Sequence, residues 1–299
     1  MQPTQAATLS VVSNAALVAL KLTAGVAMGS VSVISEAIHS GLDLLAALIA
    51  LFSVRQSSRP PDETHRYGHG KIENVSALVE ALLIFVAAVW IIAEAVQRLL
   101  RGGVVKELGL GLVIMGLSAV ANAVVSTVLF RVARRHDSQA LLADGLHLRT
   151  DVWTSLGVVL GLGAIRVTGL VVLDPLIAIG VALLIIKAAW DLSQASFLPL
   201  LDVSMPEEEE RRIREIVESF RGEYVEFHKL RTRRAGPERH VDLHLVVHAD
   251  HRIDEVHGLA ERIEKAIEGL WPRTSVLIHT EPCRARDCEA CRCPCEERR

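Results

Sequence analysis

Two segments of the sequence carry the pattern His-x-x-x-Asp inside apolar stretches. The first is His39–Asp43 and the second is His147–Asp151. Residues four apart share one face of a helix, so each segment presents an imidazole and a carboxylate side by side. Two such faces brought together supply two nitrogens and two carboxylates. That is a tetrahedral ligand set suited to Zn²⁺ or a similar divalent ion.

Both segments lie in runs that are long and apolar enough to cross a bilayer. About 20 helical residues span a hydrocarbon core of about 30 Å. Six runs qualify, near residues 8–28, 31–54, 75–99, 107–132, 139–166 and 170–191. The second and fifth runs are the least apolar because they hold the two His-x-x-x-Asp segments. Ionisable groups at membrane depth are costly, so their presence indicates a functional site.

The distribution of Arg and Lys between the runs predicts that both termini lie in the cytoplasm. The loops after the second and fourth runs carry seven basic residues, against four in the loops on the other side. An excess of basic residues marks the cytoplasmic side, and six crossings agree with it. No basic cluster precedes the first run, so a cleaved signal peptide is not expected. Lys21, near the end of the first run, is expected to extend to the membrane interface.

The fifth run holds a further acidic residue on the face of its ligands. Asp144, His147 and Asp151 are spaced three and four apart. They therefore lie on one side of a helix. Asp144 is the candidate for carrying a proton beside the metal ligands. Asn122 in the fourth run is expected to hydrogen-bond between helices or to lie near the interface.

A second set of ligand types lies in the loop between the second and third runs. The loop contains an Asp-x-x-His-x-x-x-His sequence formed by Asp62, His65 and His69. The prolines and glycines around these residues disfavour a continuous helix. Three such ligands suit a metal site with one open position. The alternative interpretation is a solvated loop without metal.

Residues 205–282 predict a separate, charged domain with the element order αββαβ. Its elements are a helix at 206–220, strands at 223–234 and 239–248, a helix at 253–269 and a strand at 274–280. In the second strand apolar residues alternate with polar ones, so one face is core and the other carries three imidazoles and a carboxylate. The polar face is formed by His240, Asp242, His244 and His248. Neighbouring elements add His228, His257, His279 and Glu281, and we predict a metal site among these ligands.

Residues 283–299 form a tail that holds every cysteine of the chain: Cys283, Cys288, Cys291, Cys293 and Cys295. In the cytoplasm these would be reduced thiols. The tail is predicted to be disordered without metal. A metal-binding tail and an inert one both fit this sequence, and the same two alternatives stand for His240, His248 and His251.

Several other functions are disfavoured by the sequence. The net charge of −3 argues against nucleic acid as a partner. No His-Glu-x-x-His segment is present, and four protein ligands leave no position for an activated water, so an enzyme is not expected. The sequence lacks a Gly-x-x-x-x-Gly-Lys-Ser/Thr loop, which argues against an ATP-driven pump. A metal sensor with a membrane anchor remains as the alternative, although it would not need ligands in the second and fifth runs.

The sequence resembles the cation diffusion facilitator family, and most closely its bacterial YiiP-type zinc transporters. The resemblance extends from the first run to about Pro282 and holds at three separate sites. These are the transport site (His39, Asp43, His147 and Asp151), the loop site (Asp62, His65 and His69) and a binuclear cytoplasmic site (His228, His244, His257, His279 and Glu281). His39 and Glu281 both replace an Asp of the YiiP type, and Thr280 replaces a Gln.

The resemblance implies a fold and an activity. It implies six transmembrane helices in residues 1–204 and a cytoplasmic αββαβ domain that packs across the two-fold axis of a homodimer. It also implies export of Zn²⁺ from the cytoplasm through the inner membrane in exchange for protons, with Zn²⁺ also bound structurally. Efflux of Cd²⁺, Co²⁺, Fe²⁺ or Mn²⁺ is the alternative. Lys71 and Asp202 resemble a pair that holds the membrane and cytoplasmic domains together.

Overall fold

Six long helices follow one another in the first part of the chain. The computed structural model describes residues 1–28, 31–101, 109–170 and 172–283. The helices are α1 (Pro3–Met28), α2 (Val31–Ser57), α3 (Lys71–Arg101), α4 (Gly109–His136), α5 (Gln139–Thr168) and α6 (Leu173–Phe197). Each overlaps one of the six predicted apolar runs over most of its length. The chain divides into two compact units, Met1–Leu198 and Pro199–Arg299.

Among the described residues, five helices are long and apolar enough to cross a membrane: α1, α2, α3, α4 and α6. The remaining helix, α5, is 30 residues long but carries Asp144, Arg149 and Asp151 in its first half. It contacts all five other helices, so much of its surface faces protein instead of lipid. Polar groups at membrane depth are tolerated where they face the interior of a bundle. Six crossings therefore remain the prediction, with α5 as the central helix.

Small side chains let the helices approach closely. The helix pairs with the most extensive packing are α1 with α2, α3 with α6, and α4 with α5. Ala46 and Ala50 of α2, Ala77 and Ala81 of α3, and Ala143 of α5 have no exposed surface. Alanine at such positions brings two helix backbones together, which favours dispersion and interhelical hydrogen bonds.

A polar stripe on α1 faces the interior of the bundle. Ser10, Asn14 and Lys21 on this helix are all buried. Lys21 is only 5% exposed, and its Nζ donates to the hydroxyl of Ser40 on α2 at 2.8 Å. The expectation that Lys21 reaches to the interface is therefore wrong. A hydrogen-bond acceptor on the neighbouring helix holds the ammonium inside the bundle.

One buried carboxylate connects the ends of three helices. Glu73, in the first turn of α3, is 2% exposed. Its two oxygens accept hydrogen bonds from the hydroxyl of Ser57 at the end of α2 and from that of Ser138, each at 2.6 Å. Ser138 directly precedes α5, and its own hydroxyl accepts from the backbone N–H of Leu141. This arrangement caps α5 and fixes α2, α3 and α5 relative to one another.

We expect Glu73→Gln to destabilise the helical unit. The amide keeps only one acceptor oxygen and loses the charge that strengthens both hydroxyl contacts, at a cost on the order of 2 kcal/mol. Thermal unfolding in detergent measures the loss. Glu94→Gln is the matched control on the same helix, because its ion pair with Arg98 is exposed and such pairs contribute little. Equal melting temperatures for the two variants would contradict this role of Glu73.

The C-terminal unit has the order αββαβ, as predicted. It contains α7 (Glu207–Ser219), β1 (Glu226–Ala235), β2 (Glu238–Val247), α8 (Ile253–Glu268) and β3 (Thr274–Pro282). The strand order is β1-β2-β3, with β2 antiparallel to β1 and parallel to β3. The predicted alternation along β2 is present: Val241, Leu243 and Leu245 are fully buried in the core with residues of α7 and α8. His244, between Leu243 and Leu245, lies on the opposite face.

Candidate metal centres

Three predicted ligands meet between α2 and α5. One donor atom each from Asp43, His147 and Asp151 lies within 4.8 Å of the other two. The Nε2 of His147 is 3.2 Å from Oδ1 of Asp43, and both side chains are nearly buried. Two ligands of one tetrahedral zinc ion, each about 2.0–2.1 Å from the metal, are themselves about 3.3 Å apart. The observed separation therefore fits two ligands of a single ion.

The fourth predicted ligand, His39, lies on α2 one helical turn before Asp43. Its side chain lies outside the part of the structure that is described, so its membership in the site stays a prediction. Asp144 lies one turn before His147 on α5 and has no exposed surface. It is not part of the three-atom cluster, and its role as a proton carrier also stays a prediction.

A residue of α4 positions one of the ligands. The Nδ2 of Asn122 donates to Oδ2 of Asp151 at 3.3 Å, and Asn122 is buried. Sequence reasoning anticipated a hydrogen bond between helices for Asn122 but not its partner. The only indication in the sequence was that Asn122 is a polar residue in a mostly apolar run. Such partners orient metal ligands, and their loss weakens metal binding.

The predicted ligands of the loop site lie close together: one donor atom each from Asp62, His65 and His69 lies within 4.8 Å of the other two. Oδ2 of Asp62 is 3.2 Å from Nε2 of His69, and its Oδ1 is 3.4 Å from Nδ1 of His65. The backbone N–H of His65 and the hydroxyl of Thr64 donate to Asp62 and hold the pKa of its carboxyl well below the usual range. Asp62 therefore stays charged at any pH at which the histidines can bind metal. Gly68, with φ of +84°, turns the chain just before His69.

Three histidines form a row across the sheet of the C-terminal unit. In the strand register His228 of β1 faces His244 of β2, which faces His279 of β3. The ring centroids are 5.4 Å apart in the first pair and 4.7 Å apart in the second. The row is therefore a consequence of strand pairing, which spacing along the chain does not reveal.

Glu281 completes the cluster on this face of the sheet. Its Oε1 is 2.7 Å from Nδ1 of His244, and its Oε2 is 3.7 Å from Nε2 of His228. The hydrogen bond from His244 lowers the pKa of Glu281 below its ordinary value. The carboxylate is therefore ionised wherever imidazole is neutral, which is the form that binds metal. Imidazole nitrogens and a carboxylate form a ligand set that fits Zn²⁺.

Other predicted residues are placed apart from these clusters. His257 is exposed on α8, and it is not in the cluster of His228, His244 and Glu281. Lys71 begins α3, whereas Asp202 accepts a hydrogen bond from Arg233 within the C-terminal unit. The predicted pairing of Lys71 with Asp202, which would join the two units, stays a prediction. Cys288, Cys291, Cys293 and Cys295 lie outside the described residues.

Comparisons with known proteins match both parts of the chain. Residues 7–201 match the cation efflux transmembrane domain, and residues 205–283 match the cytoplasmic domain of cation efflux proteins. An uncharacterized transporter of Synechocystis sp. is 36% identical over 276 residues, which cover 92% of this chain and 89% of the relative. The cation-efflux pump FieF of Citrobacter koseri is 33% identical over 279 residues, covering 93% and 92%.

A solved structure of the transporter CzrB in its zinc form is 40% identical, covers 27% of this chain and 92% of that chain, and has a TM-score of 0.26.

Long apolar helices that enclose buried ligands, followed by a small ligand-bearing αββαβ domain, define a multi-pass membrane transporter. This chain belongs to the cation efflux family, the cation diffusion facilitators, whose members transport divalent metal ions and are not enzymes.

We expect Zn²⁺ to raise the melting temperature of residues 199–283 expressed alone. A ligand at 100 times its dissociation constant stabilises the folded state by about 2.7 kcal/mol. Glu281→Gln should weaken Zn²⁺ binding at least about tenfold, because it removes the charged ligand. Glu223→Gln, at an exposed ion pair with Arg262, is the control and should leave the Zn²⁺ effect intact. The same Zn²⁺ dependence in both variants would place the metal elsewhere.

Proposed function

We propose that this protein exports Zn²⁺ from the cytoplasm in exchange for protons by alternating access. It would act as a homodimer in the inner membrane, with both termini in the cytoplasm. Membership in the cation efflux family supports efflux of a divalent ion, and the cytoplasmic domain of this family supports dimerisation. The ligand types support Zn²⁺ and protons as the transported ions, and the charge pattern of the loops supports the orientation.

The observation that carries the proposal is the contact of His147 with Asp43 between α2 and α5. Their facing atoms are 3.2 Å apart, and the two side chains are 12% and 6% exposed. Asp151 adds a second carboxylate to the same cluster. A donor set buried at membrane depth is suited to a transported ion, because an ion bound there has already left bulk water.

Charge balance links metal transport to protons. Two carboxylates buried together are unfavourable without a compensating positive charge. A divalent ion supplies that charge in the loaded state, and protons taken up by the same ligands supply it after the metal leaves. Metal binding requires deprotonated ligands, so acid weakens metal affinity and metal binding releases protons. An inward proton gradient would therefore promote metal release outside and metal capture inside.

The ligand types favour Zn²⁺ as the cargo. Two imidazoles with two carboxylates suit Zn²⁺, Co²⁺ or Cd²⁺, whereas Mn²⁺ and Mg²⁺ prefer oxygen ligands. His39 would supply the second imidazole. Efflux of Cd²⁺, Co²⁺, Fe²⁺ or Mn²⁺ is the alternative within the same class. A membrane-anchored sensor would need only the loop site and the C-terminal cluster, so the ligands of α2 and α5 favour transport.

The two other sites would have structural roles. The loop site lies between the end of α2 and the start of α3, so a bound metal would fix the connection of these helices. The C-terminal cluster lies on the face of the sheet away from the core. Metal bound there would stabilise the domain that we propose to form the dimer. The pairing of Lys71 with Asp202 would then join the two units.

Transport into sealed vesicles tests this proposal. We expect Zn²⁺ uptake driven by an imposed pH gradient without ATP, and uptake that falls to the level of protein-free vesicles in Asp43→Asn and Asp151→Asn. Each change removes one negative ligand without altering the size of the side chain. The control is Asp191→Asn, at an exposed position on α6, which should transport normally. Uptake in both ligand variants at the wild-type rate, or uptake independent of the gradient, would overturn the proposal.

A further inference from the structure

A groove runs along the exposed face of α4. It has a volume of about 460 Å³ and is lined by Val120, Ala123, Val124, Thr127, Val128 and Arg131. These residues are spaced three and four apart along the helix, so they lie on one face of it. Val120 and Val124 are 63% and 61% exposed, so this face is open to the surroundings of the bundle. The groove is therefore apolar along most of its length and carries a cation at the end nearer the α4–α5 connection.

A second arginine, Arg149 of α5, reaches the same end of the groove. Its Nη2 donates to the hydroxyl of Thr127 at 3.3 Å, and its Cζ is 5.5 Å from the centre of the Phe130 ring. Arg131 follows Thr127 by one helical turn, so it neighbours Thr127 on the surface of α4. Two arginines from two helices therefore lie within one helical turn of each other at the end of an apolar groove.

The charge of these arginines is not balanced within the part of the chain that the structure describes. No carboxylate of the described residues forms an ion pair with Arg131 or Arg149. The Nε of Arg149 is buried and donates to none of them, and the Thr127 hydroxyl and the Phe130 ring are neutral partners. A guanidinium is always charged, and a charge at membrane depth without a counter-charge is costly. An anionic group from outside the chain would therefore be favourable here.

The depth of this contact indicates a membrane lipid as the source of the anion. Thr127 and Arg149 each lie about ten residues from the α4–α5 connection, or about 15 Å along the helices. The two helices have 28 and 30 residues and are about 42–45 Å long, whereas the hydrocarbon core is about 30 Å thick. The contact is therefore inside the core and within about 10 Å of its edge. Local thinning of the bilayer brings lipid phosphates to arginines at such depths.

We propose that one anionic phospholipid binds in this groove, with its phosphate at Arg131 and Arg149 and an acyl chain along the valines. Guanidinium groups pair with phosphate through two parallel hydrogen bonds. A free phosphate ion would leave the apolar part of the groove uncovered, whereas an acyl chain covers it. Arg149 lies on the helix that supplies His147 and Asp151, so the bound lipid would hold α5 against α4. The site stands whether or not the protein is an antiporter.

Native mass spectrometry of the full-length protein in detergent tests the site, because it counts bound lipids. The probes are phosphatidylglycerol and phosphatidylcholine with the same two oleoyl chains, so they differ in the headgroup alone. We expect the first phosphatidylglycerol per chain to bind with a Kd at least about tenfold below that of phosphatidylcholine. Arg149→Gln should raise the Kd of phosphatidylglycerol at least about tenfold, because a hydrogen bond between charged groups is lost. It should leave the Kd of phosphatidylcholine unchanged.

Matched variants separate the charge from the groove. Arg55→Gln removes the same charge at an exposed position in the last turn of α2, at the same end of the bundle, and should leave both Kd values unchanged. Val124→Trp fills the groove and keeps both arginines, so it should also weaken binding of phosphatidylglycerol. Val113→Trp is its control, because Val113 is 66% exposed on α4 but does not line the groove.

Several results would overturn the proposal. One is an Arg149→Gln variant that is folded by circular dichroism and binds phosphatidylglycerol as the wild-type protein does. Equal effects of Arg149→Gln and Arg55→Gln would mean that binding follows total charge, and equal Kd values for the two lipids would mean that the headgroup is not recognised. Displacement of the lipid by inorganic phosphate at a similar concentration would identify a site for free phosphate. A Val124→Trp variant without effect would place the acyl chain elsewhere.

Discussion

The cluster of one imidazole and two carboxylates between α2 and α5 is the constraint on which the helical unit depends. Asp43 and Asp151 carry negative charge into the interior of a bundle, where an unpaired charge is strongly unfavourable. One neighbouring helix contributes a hydrogen bond to this cluster, because Asn122 of α4 donates to Asp151. This contact orients one ligand, but it does not replace a divalent ion. In the proposed mechanism, either metal or protons must therefore occupy the cluster in every stable state.

The two helices that supply the ligands are also held together at one end. Glu73 connects the end of α2 and the start of α5 through Ser57 and Ser138. The two helices that supply the ligands thus share an anchor on α3. The loop site lies in the connection between α2 and α3, close in sequence to that anchor. Metal in the loop and the Glu73 hydrogen bonds would both stabilise the end of α2 and the start of α5. Any movement that exposes the cluster of Asp43, His147 and Asp151 is therefore expected in the parts of α2 and α5 farther from Glu73.

Much of this architecture could be predicted from periodicity. Residues four apart in the sequence share one face of a helix, which predicted that Asp43 and His147 each lie on a face with a second ligand. Residues two apart share one face of a strand, which separated the core face of β2 from its ligand face. The contacts between elements could not be predicted this way. Nothing in the local sequence indicates that Asn122 meets Asp151 or that Lys21 turns inward, because these contacts depend on how helices pack. The positions of His257 and of the row formed by His228, His244 and His279 likewise depend on strand register and helix placement.

The central claim is that Asp43, His147 and Asp151 hold a metal ion between α2 and α5. Anomalous diffraction at the zinc absorption edge, from crystals of the Zn²⁺-bound protein, tests it most directly. The account predicts a strong anomalous peak about 2.0–2.2 Å from a nitrogen of His147 and from oxygens of both carboxylates. Peaks at the loop site and at the C-terminal cluster, with none between α2 and α5 at saturating Zn²⁺, would contradict it.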